Sequence, residues 1–191
     1  MLTKKEQTKL RMLDAASRSF RSHGFAGIGV DGIAKVAGVT SGAFYAHLGS
    51  KNKAFEAILI MGLDEVIESV PKFQHEFKTE WVQAFADYYL ESPHIEDLEC
   101  GCAMASLTSE VVRSDTKLQA IYEQKMSQIT NLMIDGLADG DDAEKKARAW
   151  TLLSTLIGGL NIVRAIGDDA IAQNIATSIK SAVVKAAGKT R

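Results

Sequence analysis

The segment at residues 30–55 constrains the fold of this chain more than any other part of its sequence. It reads VDGIAKVAGVTSGAFYAHLGSKNKAF and predicts two short helices, at 30–37 and 41–47, joined by a glycine turn. Apolar side chains recur at helical spacing before Gly38, where a helix can end in the left-handed conformation. Thr40 then follows as a cap for the second helix. This arrangement is typical of a helix-turn-helix, which places its second helix in the major groove of DNA.

The charge distribution separates residues 1–55 from the rest of the chain. The first segment carries nine basic and three acidic side chains, whereas the remainder carries 13 basic and 21 acidic ones. A basic segment that contains a helix-turn-helix pattern fits a polyanionic partner at one end of the chain. The alternative is a solvated charged tail that has no partner. The sequence therefore predicts a DNA-binding domain over residues 1–55.

The composition of the 191-residue chain predicts an all-α protein. Pro occurs only twice, and apolar residues recur at 3.6-residue spacing through nine predicted helices. Because we find no long uncharged apolar run and no signal-peptide core, we expect a soluble, cytoplasmic protein. Two cysteines give no disulfide framework. An enzyme is not expected, since the sequence offers no Ser-His-Asp arrangement, phosphate loop or carboxylate pair, and no cofactor is predicted.

Several helix boundaries are indicated by caps and stops. Thr3 and Glu6 have the spacing of a capping box, which begins the first helix, and Gly24 predicts its end. Ser50 is the predicted cap of a long helix. Pro71 is the predicted end of that helix, because proline interrupts the backbone hydrogen bonds.

The stretch from the first helix through Phe55 resembles the N-terminal DNA-binding domain of the TetR family of bacterial transcriptional repressors. The pattern AGV-x-x-G-x-x-Y-x-H-x-x-SK carries the resemblance. Leu48 stands where the family usually has Phe, and Phe55 where it usually has Leu, a swap that roughly conserves core volume. The resemblance implies a three-helix helix-turn-helix domain followed, over residues 56–191, by a helical bundle for ligand binding and dimerisation.

Two lysines open the helix that follows the helix-turn-helix. Lys51 and Lys53 lie in its first turn, where the helix dipole is already positive and a cation is mildly unfavourable. Their position is explained if a DNA phosphate docks there, although solvated lysines remain the alternative. The resemblance adds Tyr45 and His47 as phosphate contacts; a helix-end cap is the alternative for His47.

The start of the predicted recognition helix supplies the remaining DNA contacts. Thr40 and Ser41 are within reach of base edges or phosphates, and Gly42 permits a close backbone approach. The helix carries no Arg, Asn or Gln. We therefore expect much of the sequence specificity to come from DNA shape and half-site spacing.

The last two predicted helices carry broad apolar faces. A single short recognition helix binds weakly, so such proteins act as dimers on palindromic DNA sites. The resemblance favours a four-helix dimer interface here, and ordinary intramolecular core is the alternative. The predicted interface residues are Leu153, Leu156, Ile157, Leu160, Val163, Ile171, Ile175 and Ile179.

Aromatic and methionine side chains recur at helical spacing between residues 81 and 133. Such a stripe is more often plain core than a ligand site, and only the resemblance raises the hypothesis of a cavity for a small-molecule effector. The predicted lining residues are Trp81, Phe85, Tyr88, Tyr89, Met104, Leu107, Tyr122 and Met126. The resulting prediction is a dimeric repressor that an effector of unknown identity releases from its operator.

The segment DLECGCAMA contains both cysteines, Cys100 and Cys102. A helix that begins near Gly101 lowers the pKa of an adjacent thiol and favours the thiolate. Because the segment is similar to one in a subgroup with cysteine-based sensors, the alternative function is a redox- or electrophile-sensing repressor on the same fold. Buried structural cysteines are the simpler interpretation. No metal site is predicted, since a second ligand pair at a familiar spacing is missing.

Overall fold

The fold is all-α, as the sequence predicts. The computed structural model describes residues 2–99 and 101–191, and within them lie ten α-helices and one 3-10 helix. In chain order these are α1 (Lys4–Gly27), α2 (Val30–Val36), α3 (Ser41–Leu48), α4 (Lys51–Phe77), the 3-10 helix (Lys78–Glu80), α5 (Trp81–Tyr89), α6 (Ser92–Glu96), α7 (Ala103–Val112), α8 (Thr116–Asp135), α9 (Asp142–Ala165) and α10 (Asp169–Ala187). None of the helices in the described residues has the length and apolar character that crossing a bilayer requires.

The helices form two compact units. The first unit consists of residues 1–62 and 98–122, and the second consists of residues 63–97 and 123–191. The first unit therefore contains α1, α2, α3 and α7, together with the first parts of α4 and α8. It extends beyond the segment 1–55, and the domain boundary at residue 55 stays a prediction.

In the first unit, α1 begins at the predicted capping box. The Thr3 amide donates to the Glu6 carboxylate over 2.7 Å, and the Glu6 amide donates to the Thr3 hydroxyl over 3.2 Å. The buried face of the helix then packs in this unit through Met12, Leu13, Ala16 and Phe20, among others. At Gly24, with φ +71°, the backbone leaves the helical conformation before one more turn carries α1 to Gly27.

In the second unit, α10 packs against α9 and α5. The approach of α9 to α10 is close enough that a Cβ at Gly159 would lie 2.4 Å from Cδ1 of Ile179. The buried Trp81 at the start of α5 donates from Nε1 to the carbonyl of Gly136 over 3.0 Å. Helix ends and helix faces in this unit are therefore both fixed by contacts far apart in sequence.

One of the two prolines lies inside a helix, and the other lies in the first turn of one. Pro71 does not end α4, which continues to Phe77. A proline inside a helix removes one backbone hydrogen bond, and Val70 beside it is fully buried, so side-chain packing carries the helix through the interruption. Pro93 lies in the first turn of the short helix α6, which the sequence analysis did not predict. Its missing amide costs nothing there, because amides of a first turn have no helical partner.

Candidate nucleic-acid interface

The α2–turn–α3 segment has the compact geometry that its sequence predicts. The chain leaves α2 through Gly38 with φ +66°, and the Val39 amide donates to the carbonyl of Ala34 over 2.9 Å. Ile33 and Phe44 are fully buried beneath the turn. The two short helices are thus held by one apolar contact region and a glycine turn, which leaves the opposite face of α3 free.

Both hydroxyls at the start of α3 have partners within the chain. The Thr40 hydroxyl accepts a hydrogen bond from the Ala43 amide over 3.2 Å and so caps the helix, as predicted. The Ser41 hydroxyl donates to the carboxylate of Asp31 in α2. The sequence analysis missed this second contact, because ten residues separate the two side chains and no local motif links them.

The outward face of α3 carries no Asp, Glu, Lys or Arg side chain and is largely accessible. Thr40, Gly42 and Tyr45 are exposed, with 53% of the Tyr45 surface accessible to solvent, and His47 is half-buried in the last turn. Tyr45 packs edge-on against the neighbouring ring of Phe44, at a centroid distance of 5.9 Å. The exposed side chain is therefore anchored by the core residue next to it.

The start of α4 adds positive charge beside α3. The Ser50 hydroxyl accepts a hydrogen bond from the Lys53 amide over 3.1 Å, which caps the helix, and the Lys53 side chain is exposed. Lys51 is half-buried, and its Nζ lies 4.3 Å from the centroid of the Phe25 ring, over the ring face. The two lysines therefore differ: Lys53 extends into solvent, whereas Lys51 has an aromatic partner.

Most of the predicted effector-lining residues are packed core. Trp81, Phe85, Tyr89, Met104, Leu107 and Met126 are buried. The Tyr122 hydroxyl lies 2.8 Å from that of Thr108, and burial raises the pKa of this tyrosine. Of the eight residues, only Tyr88 is exposed; it borders a groove of about 620 Å³ between α4 and α5, hereafter the α4–α5 groove. Most of the aromatic and methionine residues between positions 81 and 133 that were considered as an effector site are therefore core residues.

The predicted interface residues are divided in the same way. Leu153, Leu156, Leu160 and Val163 are buried within the chain, which leaves them no surface for a partner. Ile157, Ile175 and Ile179 are half-buried, and Ile171 is exposed. The large exposed apolar residues on α9 are Trp150 and Ile162, which the sequence analysis did not select. The sequence contains a pattern that predicts this exposed stripe. Its spacing of four residues places on one face of the helix Trp150, Ser154, Gly158 and Ile162.

The cysteine pair is only partly described. Cys100 lies outside the described residues, and Cys102 is the half-buried residue that precedes α7. Within the ranges 2–99 and 101–191, no group of three His, Cys, Asp or Glu side chains is arranged to hold a metal ion.

Comparison with known proteins agrees with this geometry. Residues 12–58 match the model of the family described as bacterial regulatory proteins, tetR family. The HTH-type transcriptional repressor SCO4008 of Streptomyces coelicolor is 27% identical over 142 residues, which cover 71% of this chain and 72% of that protein.

Solved structures extend the similarity over nearly the whole chain. A TetR-family regulator from Cytophaga hutchinsonii superposes with a TM-score of 0.79 at 15% identity, covering 97% of both chains. The reduced form of NemR from E. coli gives 0.74 at 16% identity, covering 92% of this chain and 96% of that one. At such identities the likeness shows the fold alone, and it does not favour the cysteine-sensing alternative.

Sequence, family model and fold converge on one class of protein. The match to the family model contains the whole α2–turn–α3 segment, the similar repressor matches in sequence over 71% of the chain, and the solved structures share the fold. Regulators of this kind are DNA-binding transcription factors and not enzymes. Residues 12–58 thus match the tetR family of bacterial regulatory proteins, and the chain as a whole has the fold of solved TetR-family regulators.

Proposed function

We propose that this repressor binds a palindromic operator as a homodimer and is released by a small molecule bound in its C-terminal helical part. The observation that carries the proposal is the accessible face of α3, without Asp, Glu, Lys or Arg side chains, directly beside the positive first turn of α4. A short helix with such a face fits the major groove, while flanking cations and amides bind the phosphates on either side.

The proposed DNA contacts divide into two kinds. Tyr45, His47, Lys51 and Lys53 face phosphates, and these contacts fix the position of α3 on the duplex. Thr40, Ser41 and Gly42 approach the base edges at the start of α3. The hydroxyl of Ser41 donates to Asp31, so it meets DNA as a hydrogen-bond acceptor. It therefore suits an exposed amino group of adenine or cytosine.

Fluorescence anisotropy with the DNA upstream of the chain's own gene tests the DNA-binding part. We expect binding that resists excess unrelated competitor DNA. Lys53→Ala lowers the affinity and reduces the slope of log K against log salt by about one, because one phosphate contact is lost. Lys185→Ala is the matched control, since it removes an exposed charge on α10. Equal slopes for the two variants contradict a phosphate contact at Lys53.

The dimer interface is proposed on the exposed stripe of α9 rather than on its buried face. Ile162 is 54% exposed, and Gly158 on the same stripe has open space around it, so a second helix has room to approach closely. Ile162→Lys is expected to yield monomers in sedimentation velocity and to weaken operator binding. Val112→Lys places the same charge on a residue that is 71% exposed in α7 and keeps the dimer. Dimers that survive Ile162→Lys contradict this interface.

The effector site is proposed in the α4–α5 groove. The exposed rings of Phe77 and Tyr88 border it, and both belong to one aromatic cluster around Phe73. Exposed aromatic rings beside a concave surface favour a flat apolar ligand. The test is a compound screen for release of labelled operator DNA. Tyr88→Ala should lose the response to an active compound while it keeps DNA binding; an unchanged response contradicts the site.

A further inference from the structure

A second concave site lies in the first unit, apart from the DNA-facing surface of α3. It is a cavity of about 280 Å³, hereafter the first-unit cavity. Residues from α1, α4, α7 and the start of α8 line it, all of them within the first unit. Its volume lies just below the range of about 300–1,000 Å³ that is usual for ligand sites, so a small ligand is the only kind that fits.

The apolar wall of the cavity consists of aromatic rings. Phe25 and Phe55 meet edge to face at a centroid distance of 5.3 Å, and Phe55 is buried. The ammonium of Lys51 lies over the Phe25 ring, so this ring already takes part in one cation–π contact. Leu118 completes this wall. The wall is therefore suited to a group that is both apolar and positively charged.

The ionised groups around the cavity differ in whether they have partners. Glu56 forms an ion pair with Lys117 at 2.8 Å, and the Asp115 carboxylate accepts a hydrogen bond from the Leu118 amide over 2.9 Å. Glu110 is half-buried, and its carboxylate has no ion pair or hydrogen bond with any of residues 2–99 and 101–191. A carboxylate that is partly removed from water without a partner is destabilised, and a cation relieves that cost.

The backbone of α1 makes room for this carboxylate. Gly24 adopts φ +71°, a conformation that favours glycine, and a Cβ at that position would lie 2.8 Å from Oε1 of Glu110. Any larger residue at position 24 would meet the carboxylate. Gly24 therefore lies directly beside the Glu110 carboxylate.

We propose that the first-unit cavity binds a small organic cation, an alkyl- or arylammonium ion whose charge pairs with Glu110 and whose apolar part packs on Phe25 and Phe55. An anion does not fit, because three of the four ionised side chains that line the cavity are carboxylates. The fourth, Arg113, donates to the carbonyl of Ser109 over 2.9 Å. This inference goes beyond the proposed function, and it holds or fails independently of operator binding and of the α4–α5 groove.

Isothermal titration calorimetry on the full chain tests the proposal with benzyltrimethylammonium and benzylamine. Benzyl alcohol and benzenesulfonate serve as the neutral and anionic controls of similar size. We expect saturable binding of at least one cation, with a Kd below about 1 mM, and weaker or no binding of both controls. Absence of saturable binding for both cations overturns the proposal, as does equal binding of the neutral control.

Two variants assign the binding to this cavity. Glu110→Gln keeps the shape of the side chain and is expected to weaken cation binding at least tenfold. Glu76→Gln removes a carboxylate from the α4–α5 groove and is expected to leave the binding unchanged. The reverse pattern, in which only Glu76→Gln weakens binding, overturns the assignment. Circular dichroism melts of both variants check that the fold is retained.

A readout independent of affinity comes from nuclear magnetic resonance. Methyl protons of bound benzyltrimethylammonium are expected to give nuclear Overhauser effects to the ring protons of Phe25. Phe25→Leu removes the aromatic face while it keeps an apolar wall, and it should weaken the binding of the cation. Overhauser effects confined to the rings of the α4–α5 groove overturn the proposal.

Discussion

The α2–α3 pair and the α9–α10 pair are both two helices joined by a short connection, yet different parts of the helices hold them. In α2–α3 the buried Ile33 and Phe44 are joined by contacts at helix ends: the cap at Thr40, the turn at Gly38 and the bond from Ser41 to Asp31. In α9–α10 they are along the helix faces, where Gly159 meets Ile179. A pair fixed at its ends keeps one outer face free for a partner. Because few buried side chains stabilise such a pair, the loss of any one of them has a large effect.

The largest effect is expected from the single buried ring of α3. Phe44→Ala removes a fully buried phenyl group and should lower the free energy of unfolding by about 3–5 kcal/mol, with loss of DNA binding. Tyr45→Ala changes the adjacent exposed ring, so it should weaken DNA binding with little effect on unfolding. Urea denaturation and anisotropy measure the two quantities. Similar unfolding energies for both variants contradict the division of α3 into a core face and a DNA face.

The next effect concerns two adjacent glycines of α9. Gly159→Leu forces a side chain against Ile179 and should lower the free energy of unfolding by about 1–3 kcal/mol. Gly158→Ala meets no atom of its own chain within 4 Å, so in the Ile162→Lys background, which is expected to be monomeric, it should raise helix stability by about 0.5–1 kcal/mol. Urea denaturation of the two variants compares them directly. If Gly159→Leu is tolerated as well as Gly158→Ala, the faces do not hold this pair.

A smaller effect is expected at the start of α3. Thr40→Ala removes the cap and should cost about 1 kcal/mol, whereas Thr40→Ser keeps a hydroxyl that accepts from the Ala43 amide. Thermal melts followed by circular dichroism give the stability difference. Since Thr40 is also a proposed DNA contact, Thr40→Ser separates the two roles. Equal melting temperatures for wild type and Thr40→Ala would show that the cap contributes nothing.

These variants also mark how far the sequence predicts the structure. The cap at Thr40, the turn at Gly38 and the box at Thr3 were predicted because each depends on residues within four positions. The sequence did not predict which side of α9 is buried. Both faces of this helix carry apolar residues, and periodicity alone does not show which face packs against the rest of the chain. Contacts between residues far apart in sequence, such as Ser41 and Asp31, produce no local sequence motif from which they could be predicted.

The candidate sites follow the same division. The positions of Tyr45 and Lys53 on an accessible surface agree with what the motif implies, and their DNA contacts stay predictions. Lys51 over the Phe25 ring and the cavity below it depend on helices far apart in sequence, and neither was predicted. Local motifs thus indicate the proposed nucleic-acid surface, whereas the cavities require the tertiary structure.

The smallest expected effect is a pH dependence in the second unit. Burial, with a further contribution from Arg164, lowers the pKa of His94, whose ring contacts Tyr88 and Tyr89. The unfolded chain therefore binds more protons than the folded one as the pH falls below about 6.5, and stability declines in that range. Between pH 7.5 and 5.5, the melting temperature of wild type should fall further than that of His94→Gln. Parallel declines would contradict this origin.

Pro71 affects the local unfolding of α4. Because proline has no amide hydrogen, the carbonyl of Ile67 lacks the donor that every other position in the middle of the helix supplies. The backbone ladder of this 27-residue helix is therefore interrupted six residues before its end. In a hydrogen-exchange experiment, amides after Pro71 should exchange faster than amides before it, so that one continuous helix behaves as two cooperative segments.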